Sequence, residues 1–88
     1  MVMPYQVEFL PIAIDNLSHL DSVVAQRILN KLKWLSENFD TLTPEMLTGE
    51  LKGLLKLRVG NYRVIYSAND KAHLMTVHFI SHRKDIYK

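Results

Sequence analysis

The sequence predicts an α+β domain: a small antiparallel β-sheet with two N-terminal helices packed on one of its faces. An alternating segment near the N-terminus is followed by two segments with helical periodicity, and the last third of the chain alternates as β-strands do. The chain has 88 residues, of which 48% are hydrophobic. This is enough for one small core, so we expect a single domain over residues 1–88.

The N-terminal half is predicted to supply one strand and two helices. Residues 5–10 alternate between apolar and polar side chains and predict the first strand. Pro11 suits the first turn of a short helix, which we expect to reach His19. A longer helix is predicted over residues 22–38, with Asp21 as its N-cap. Its apolar stripe consists of Val24, Ile28, Leu32, Leu35 and Phe39.

Turns and strands are predicted for the remaining chain. Residues 40–49 are rich in turn formers, and Thr43 is predicted to cap a single helical turn over residues 44–47. Residues 67–72 predict a turn, and residues 74–82 predict a strand rich in β-branched and aromatic side chains. We therefore expect the C-terminal half to form an antiparallel meander.

The segment LLKLRVGNYRVIY, residues 54–66, predicts a β-hairpin with Gly60-Asn61 as its two-residue loop. Glycine at the first loop position suits a type II′ turn, and such a loop fixes the register. The predicted pairs are Val59 with Tyr62, Arg58 with Arg63, Leu57 with Val64, Lys56 with Ile65, and Leu55 with Tyr66. Since side chains alternate between faces, the apolar residues share one face, and Lys56, Arg58, Arg63 and Ile65 share the other.

This basic set allows two interpretations. It is either a solvated sheet face with long side chains spread into water, or a concave surface for a polyanion such as an RNA or DNA backbone. Charge along the chain favours an anionic partner. Residues 52–88 contain eight Lys or Arg and two acids, a net charge of +6, whereas residues 1–51 contain three bases and seven acids, a net charge of −4.

Composition excludes several classes of function. The chain has no cysteine, which excludes disulfides and zinc–thiolate sites. No apolar run approaches the ~18 residues of a membrane span, and no signal peptide is visible, so we expect a cytoplasmic protein without membrane contact. His78 and His82 are predicted to share a strand face about 13 Å apart, too far for a common metal ion. We expect neither a metal nor a cofactor.

The remaining side chains that can carry chemistry are bases and a tyrosine: Lys56, Arg58, Arg63, Arg83 and Tyr87. This set suits a reaction that needs no metal. RNA carries its own nucleophile, the 2′-OH, and an enzyme has to position it, take its proton, neutralise the phosphorane and protonate the 5′-oxygen. Arginines suit phosphate because their forked donors match two oxygens.

The stretches LKGLLKLRVGNYRVIY and VHFISHRKDIY resemble the RelE/ParE superfamily of bacterial toxin–antitoxin toxins, on the RelE side. The resemblance covers residues 48–88 by motif and the whole chain by element order. It implies a RelE-like, microbial-RNase-like fold. It also implies an mRNA interferase that cleaves mRNA in the ribosomal A site by 2′-OH attack, leaves a 2′,3′-cyclic phosphate and inhibits translation.

The resemblance also implies roles for individual residues and partners. Lys56 matches the general base, Arg63 the phosphate-stabilising arginine, Arg83 the arginine that assists the leaving group, and Tyr87 the tyrosine that stacks or orients. The expected RNA contacts are Lys52, Arg58, His82 and Lys84. The implied partners are mRNA on the ribosome and a cognate RelB-like antitoxin, with which the chain would form a hetero-oligomer.

One position departs from the pattern of the family. Some members carry a second lysine two residues before the base, where this chain has Leu54, so charge on the active face is reduced unless Lys52 compensates one pleat further out. Two alternatives stay open. One is a ParE-like toxin that inhibits DNA gyrase by protein–protein binding, and the other is an inactive RNA-binding relative.

Overall fold

A mixed sheet with two helices against one face makes up the described part of the chain. The computed structural model describes residues 4–42, 45–46 and 53–82, with the backbone alone at 45–46. The elements in chain order are β1 (Gln6–Phe9), α1 (Pro11–Ser18), α2 (Ser22–Asn38), a 3₁₀ turn (Phe39–Thr41), β2 (Glu45–Met46), β3 (Leu55–Val59), β4 (Tyr62–Asn69) and β5 (Leu74–His82). The predicted α+β class is confirmed.

The strands lie in the order β1-β5-β4-β3-β2. β2, β3, β4 and β5 pair antiparallel with their neighbours, but β1 pairs parallel with β5. The prediction of a purely antiparallel sheet is therefore wrong at one edge. Both helices lie between β1 and the other strands in sequence, and a connection of that length allows parallel pairing, whereas the short turns after β3 and β4 enforce antiparallel pairing.

Both predicted helices are confirmed. α1 begins with Pro11 in its first turn, where the missing N–H costs no hydrogen bond. α2 covers the predicted residues, and the carboxylate of Asp21 accepts a hydrogen bond from the backbone N–H of Val23 at 2.8 Å. The apolar stripe of α2 packs into the core, with Ile28, Leu32 and Leu35 buried.

The hairpin register is confirmed at all five predicted pairs. Gly60 has a φ of 58°, and Asn61 is not among the residues with positive φ, which is the combination that a type II′ turn requires. A side chain at Gly60 would meet no neighbour within 4 Å, so the need for glycine there is conformational rather than steric.

Two local predictions are wrong. Glu45 and Met46 form a short strand opposite Lys56 and Leu55 rather than part of a helical turn, because pairing at the sheet edge outweighs the local capping preference. β4 also continues to Asn69, three residues beyond Tyr66, and the turn that was predicted from residue 67 begins after it.

A register shift in β5 changes which residues share a face. Ile65 pairs with Phe79 but Tyr66 pairs with Val77, so His78 is an extra residue in β5. The buried residues of β5 are Met75, Val77 and Ile80, spaced by two and then by three.

We call the two sides of the sheet the helix face and the basic face. The helix face packs against α1 and α2 and includes Leu57, Val64, Tyr66, Met75, Val77 and Ile80. The basic face is the other side and carries Lys56, Arg58, Arg63 and Ile65. The core of the described residues lies between the helix face and the helices.

Candidate functional site

The basic face is built by the two strands of the hairpin. The register sets Arg58 directly opposite Arg63 and Lys56 opposite Ile65. Residues two apart on a strand are about 7 Å apart along it, so the three bases form one patch. Lys56 is half-buried and Arg58 is exposed. The structure thus brings together three of the predicted site residues.

Arg63 is the unusual member of this patch because it is only 2% exposed. It lies on β4, the central strand, with Arg58 across one side and Ser81 across the other. A fully solvated basic face is therefore excluded at this position. Burial restricts the side chain to few rotamers, so the forked donors of its guanidinium are held in a restricted set of positions.

Polar atoms continue beside Arg63. The hydroxyl oxygen of Ser81 is buried and has no hydrogen-bond partner among the residues that the structure describes. A buried hydroxyl usually has such a partner. The pairing of Ser81 with Arg63 therefore adds a polar group to the buried end of the basic face.

Four predicted site residues lie outside the described residues: Lys52, Arg83, Lys84 and Tyr87. Arg83 follows His82, the last residue of β5, directly in sequence. Their roles remain predictions.

His82 is separated from the basic face. It pairs with Tyr62 on the helix face, and the two rings meet edge to face with centroids 5.2 Å apart. Both rings line a groove of about 510 Å³ between α1 and the ends of β4 and β5, together with Asn16 and His19. The RNA contact predicted for His82 would have to be made from this side.

A row of polar side chains on the basic face escaped the sequence-based prediction. The hydroxyl of Ser67 lies 2.9 Å from Nε2 of His78, and the hydroxyl of Thr76 donates to Glu8 at 3.0 Å. The extra residue in β5 turns His78 to this side, away from the side of His82, so the two histidines do not share a face as predicted. The adjacent apolar residues Phe79 and Ile80, which break the alternation of Met75, Val77 and Phe79, are the signal that marks the shift.

Two buried tyrosines have raised pKa values and belong to the core rather than to the basic face. The hydroxyl of Tyr5 donates to a carboxylate oxygen of Asp70 at 2.7 Å, and this bond, followed by burial and the negative charges of Asp70 and Asp40, raises the pKa of Tyr5 to about 12. Burial raises the pKa of Tyr66 to about 12.

Within the described ranges, no three His, Asp or Glu side chains are grouped to hold a metal ion. In the same part of the chain, no helix is long and apolar enough to cross a membrane.

Comparison with known proteins assigns the family. The family model described as ParE toxin of type II toxin–antitoxin systems, parDE, matches residues 7–87. The chain belongs to the RelE/ParE superfamily of type II toxins. None of the curated proteins compared with it shows significant similarity.

Solved structures of the superfamily confirm the RelE-like fold. The chain is similar to the crystal structure of the toxin–antitoxin complex RelBE2 from Mycobacterium tuberculosis, with a TM-score of 0.82, 25% identity, and coverage of 94% of this chain and 95% of that one. It is also similar to an archaeal RelE–RelB complex from Pyrococcus horikoshii, with a TM-score of 0.73, 27% identity, and coverage of 92% and 97%. The isolated Escherichia coli RelE toxin shares the fold at 19% identity, with a TM-score of 0.73 and coverage of 89% and 83%.

Proposed function

We propose that this protein is a ribosome-dependent mRNA endoribonuclease of the cytoplasm that inhibits translation and arrests growth. One observation carries the proposal: Lys56, Arg58 and Arg63 share one sheet face, with Arg63 buried in its central strand. A patch of bases with a buried arginine suits an RNA phosphate better than it suits water.

The proposed reaction needs no metal and no cofactor. The 2′-oxygen of one nucleotide attacks the adjacent phosphorus, a new P–O2′ bond forms, and the P–O5′ bond breaks. Lys56 takes the proton of the 2′-OH, and the 5′-oxygen receives a proton from water as it leaves. The products are a 2′,3′-cyclic phosphate and a 5′-hydroxyl.

Arg63 and the tail residues supply the remaining roles. The fork of Arg63 stabilises the charge that builds on the phosphorane, and a preorganised donor of this kind is worth about 10²–10³ in rate. Arg83 assists the departing 5′-oxygen, and Tyr87 orients or stacks on the nucleotide. Lys52, Arg58 and Lys84 contact the RNA away from the scissile bond, and His82 contacts it from the helix face.

The proposed partner protein is a RelB-like antitoxin that forms a hetero-oligomer with the chain. Membership of a type II toxin family supports a neutralising partner. The similar structures from M. tuberculosis and P. horikoshii are complexes of a toxin with its antitoxin. We expect an extended, acidic segment that folds on binding and covers the helical and sheet surfaces.

Growth assays test the nuclease proposal. Arg83→Ala and Tyr87→Phe should each relieve the growth arrest caused by the induced wild type while antitoxin affinity stays near wild type. Lys71→Ala, an exposed lysine of the β4–β5 turn, is the matched control and should leave the arrest intact. Full toxicity of both tail variants would contradict the nuclease.

A second candidate function is the inhibition of DNA gyrase, because the matching family model describes ParE toxins. Such an inhibitor acts by protein–protein binding and does not need Lys56 and Arg63 as catalysts. Loss of gyrase supercoiling at concentrations that leave translation intact would favour this function. Binding of RNA without cleavage would instead indicate an inactive relative, in which Leu54 has replaced a needed charge.

A further inference from the structure

The extra residue in β5 brings two aromatic side chains together on the basic face. Phe79 pairs with Ile65, and directly paired residues share a face of the sheet, so Phe79 lies on the basic face. His78 lies there as well, because its Nε2 is 2.9 Å from the hydroxyl oxygen of Ser67. A regular strand would direct two consecutive side chains to opposite faces. Bulges that redirect a side chain in this way are over-represented next to active sites.

The core does not use these two side chains, which we call the aromatic pair. Phe79 is half-buried and is not part of the apolar cluster between the helix face and the helices. It comes two residues after Val77, the last residue of β5 that pairs with β1, so it also borders the groove beside α1. His78 is half-buried too, and within the described residues its ring has one hydrogen-bond partner, Ser67. Both rings therefore keep surface that a ligand can contact.

The aromatic pair lies beside the proposed catalytic residues. Lys56, Ile65 and Phe79 are in register on three neighbouring strands. Neighbouring strands are about 4.8 Å apart, so the backbones of Lys56 and Phe79 are about 10 Å apart across the sheet. Arg63 is one pleat further along β4. This separation is comparable to the length of one nucleotide, from its phosphate to the far edge of its nucleobase.

A basic patch beside aromatic rings is a combination that binds single-stranded nucleic acid. The lysine and arginines attract the phosphates, and each ring offers a face on which an unstacked nucleobase can stack. Histidine and phenylalanine both serve in this way in RNA recognition. Glu8 lies beyond the aromatic pair on β1, where its carboxylate accepts a hydrogen bond from Thr76. Its negative charge disfavours phosphates there, so we expect the nucleobase rather than the backbone to reach β5.

We propose that His78 and Phe79 stack on the nucleobase of a nucleotide that adjoins the scissile phosphate. Ser67 is then a positioning residue, since its hydroxyl restricts the rotation of the His78 ring. This inference rests on the proposed function, because it requires an RNA substrate, and it assigns a nucleobase subsite on the same face. Every nucleobase has a flat face, so the subsite contributes affinity and orientation more than sequence preference.

Cleavage of a reporter mRNA on purified ribosomes measures the contribution of each ring. Phe79→Leu keeps an apolar side chain and His78→Gln keeps a polar one, so melting temperatures should stay near wild type. Each should lower the cleavage rate by about tenfold, the loss expected for one stacked nucleobase. Phe79→Tyr keeps the ring and should cut as wild type does. The matched control is Thr76→Ala, at a half-buried polar position of the same strand and face, which should also cut normally.

Ser67→Ala tests the positioning role. It should lower the cleavage rate by a smaller factor than His78→Gln does, because the ring remains but is less restricted. The double variant should be no slower than His78→Gln alone, since Ser67 acts through the ring. A full additional loss in the double variant would show that Ser67 does not act through His78.

An abasic nucleotide in the mRNA shows whether the rings act through a nucleobase. One mRNA has the abasic residue on the 5′ side of the cut and a second mRNA has it on the 3′ side. One of the two should slow cleavage by the wild type about tenfold. The same mRNA should cause little further loss in Phe79→Leu, because the stack is already missing. Independent losses with both mRNAs would overturn the proposal, since a structural effect of the substitution does not depend on the nucleobase.

The outcomes separate this inference from the proposed function. If the wild type leaves ribosome-bound mRNA intact, the nuclease is wrong and the nucleobase subsite is wrong with it. If the wild type cuts the mRNA but Phe79→Leu and His78→Gln cut as fast as Thr76→Ala, the nuclease stands and the subsite alone is wrong. Slower cleavage by both variants, with a loss that disappears on one abasic mRNA, confirms both.

Discussion

The two faces of the sheet are made by the same strands but bury different kinds of side chain. On the helix face, Val64 and Tyr66 are buried by apolar neighbours from both helices. On the basic face, Arg63 and Ile65 of the same strand are buried just as deeply, yet they stand opposite Arg58 and Lys56.

The difference shows that burial has separate consequences on the two sides. Apolar burial on the helix face stabilises the fold. Burial of a guanidinium carries a desolvation cost, which is compensated only by nearby polar or charged groups. The basic face therefore contributes less to stability than its burial suggests.

The largest loss of stability is expected from a substitution on the helix face. Val64→Asp places a carboxylate at a fully buried position of the central strand, which should cost more than about 4 kcal/mol of unfolding free energy and leave the domain unfolded at 37 °C. Arg58→Asp, at the exposed position one residue over on the paired strand, should change stability by no more than about 0.5 kcal/mol. Thermal unfolding followed by circular dichroism compares the two variants. Equal losses of stability would contradict the difference between the two faces.

The next effect concerns activity on the basic face. Arg63→Lys keeps the charge but loses the forked donors, so mRNA cleavage should fall on the order of 10²-fold. The melting temperature should stay within a few degrees of wild type, because the variant fills similar space. Single-turnover experiments measure the rate of mRNA cleavage, and calorimetry measures the melting temperature. A variant that keeps its rate would show that Arg63 is a structural residue.

A smaller effect is expected at the hairpin loop that sets both faces in register. Gly60→Val puts a β-branched side chain at a φ of 58°, which should cost about 1–2 kcal/mol. This corresponds to a decrease of several degrees in melting temperature for a domain of this size. Asn61→Ala is the control and should be nearly neutral. A wild-type melting temperature for Gly60→Val would mean that the loop does not constrain the hairpin.

The smallest effect is expected at the anchor between β1 and the β4–β5 turn. Tyr5→Phe removes the hydrogen bond to Asp70 and should cost about 0.5–1.5 kcal/mol at neutral pH. The folded state holds the phenolic proton more tightly than the unfolded state does, so this stability is complete below pH 10 and is lost as the pH rises towards 12. Chemical denaturation at several pH values should therefore show a smaller alkaline loss in Tyr5→Phe, with Tyr66 still contributing. If the variant and the wild type lost the same stability at alkaline pH, Tyr5 would be ruled out as a source of that loss.

Local patterns predicted the elements whose signals are themselves local. The cap at Asp21, the stripe of α2 and the Gly60 loop each depend on residues close in sequence, and the structure confirms them. The parallel pairing of β1 with β5 joins residues nearly 70 positions apart, from Gln6 with Leu74 onward, and no local pattern encodes it.

The site was predictable only where it depends on residues that are close in sequence. Alternation around the loop placed Lys56, Arg58 and Arg63 on one face, as the structure shows. It could not predict that Arg63 would be buried, because burial depends on the position of β4 between two other strands. It also could not place His78 and His82, since the extra residue in β5 reverses the alternation between them.

Primer extension on a reporter mRNA in a translating extract tests the central claim, that the basic face cleaves mRNA on the ribosome. Purified wild type should give discrete cuts within codons, which disappear when ribosomes are removed and when Lys56→Ala replaces the wild type, while Lys71→Ala still cuts. An intact transcript with the wild type, in an extract where the protein abolishes gyrase supercoiling, would contradict the nuclease and assign the chain to the gyrase inhibitors.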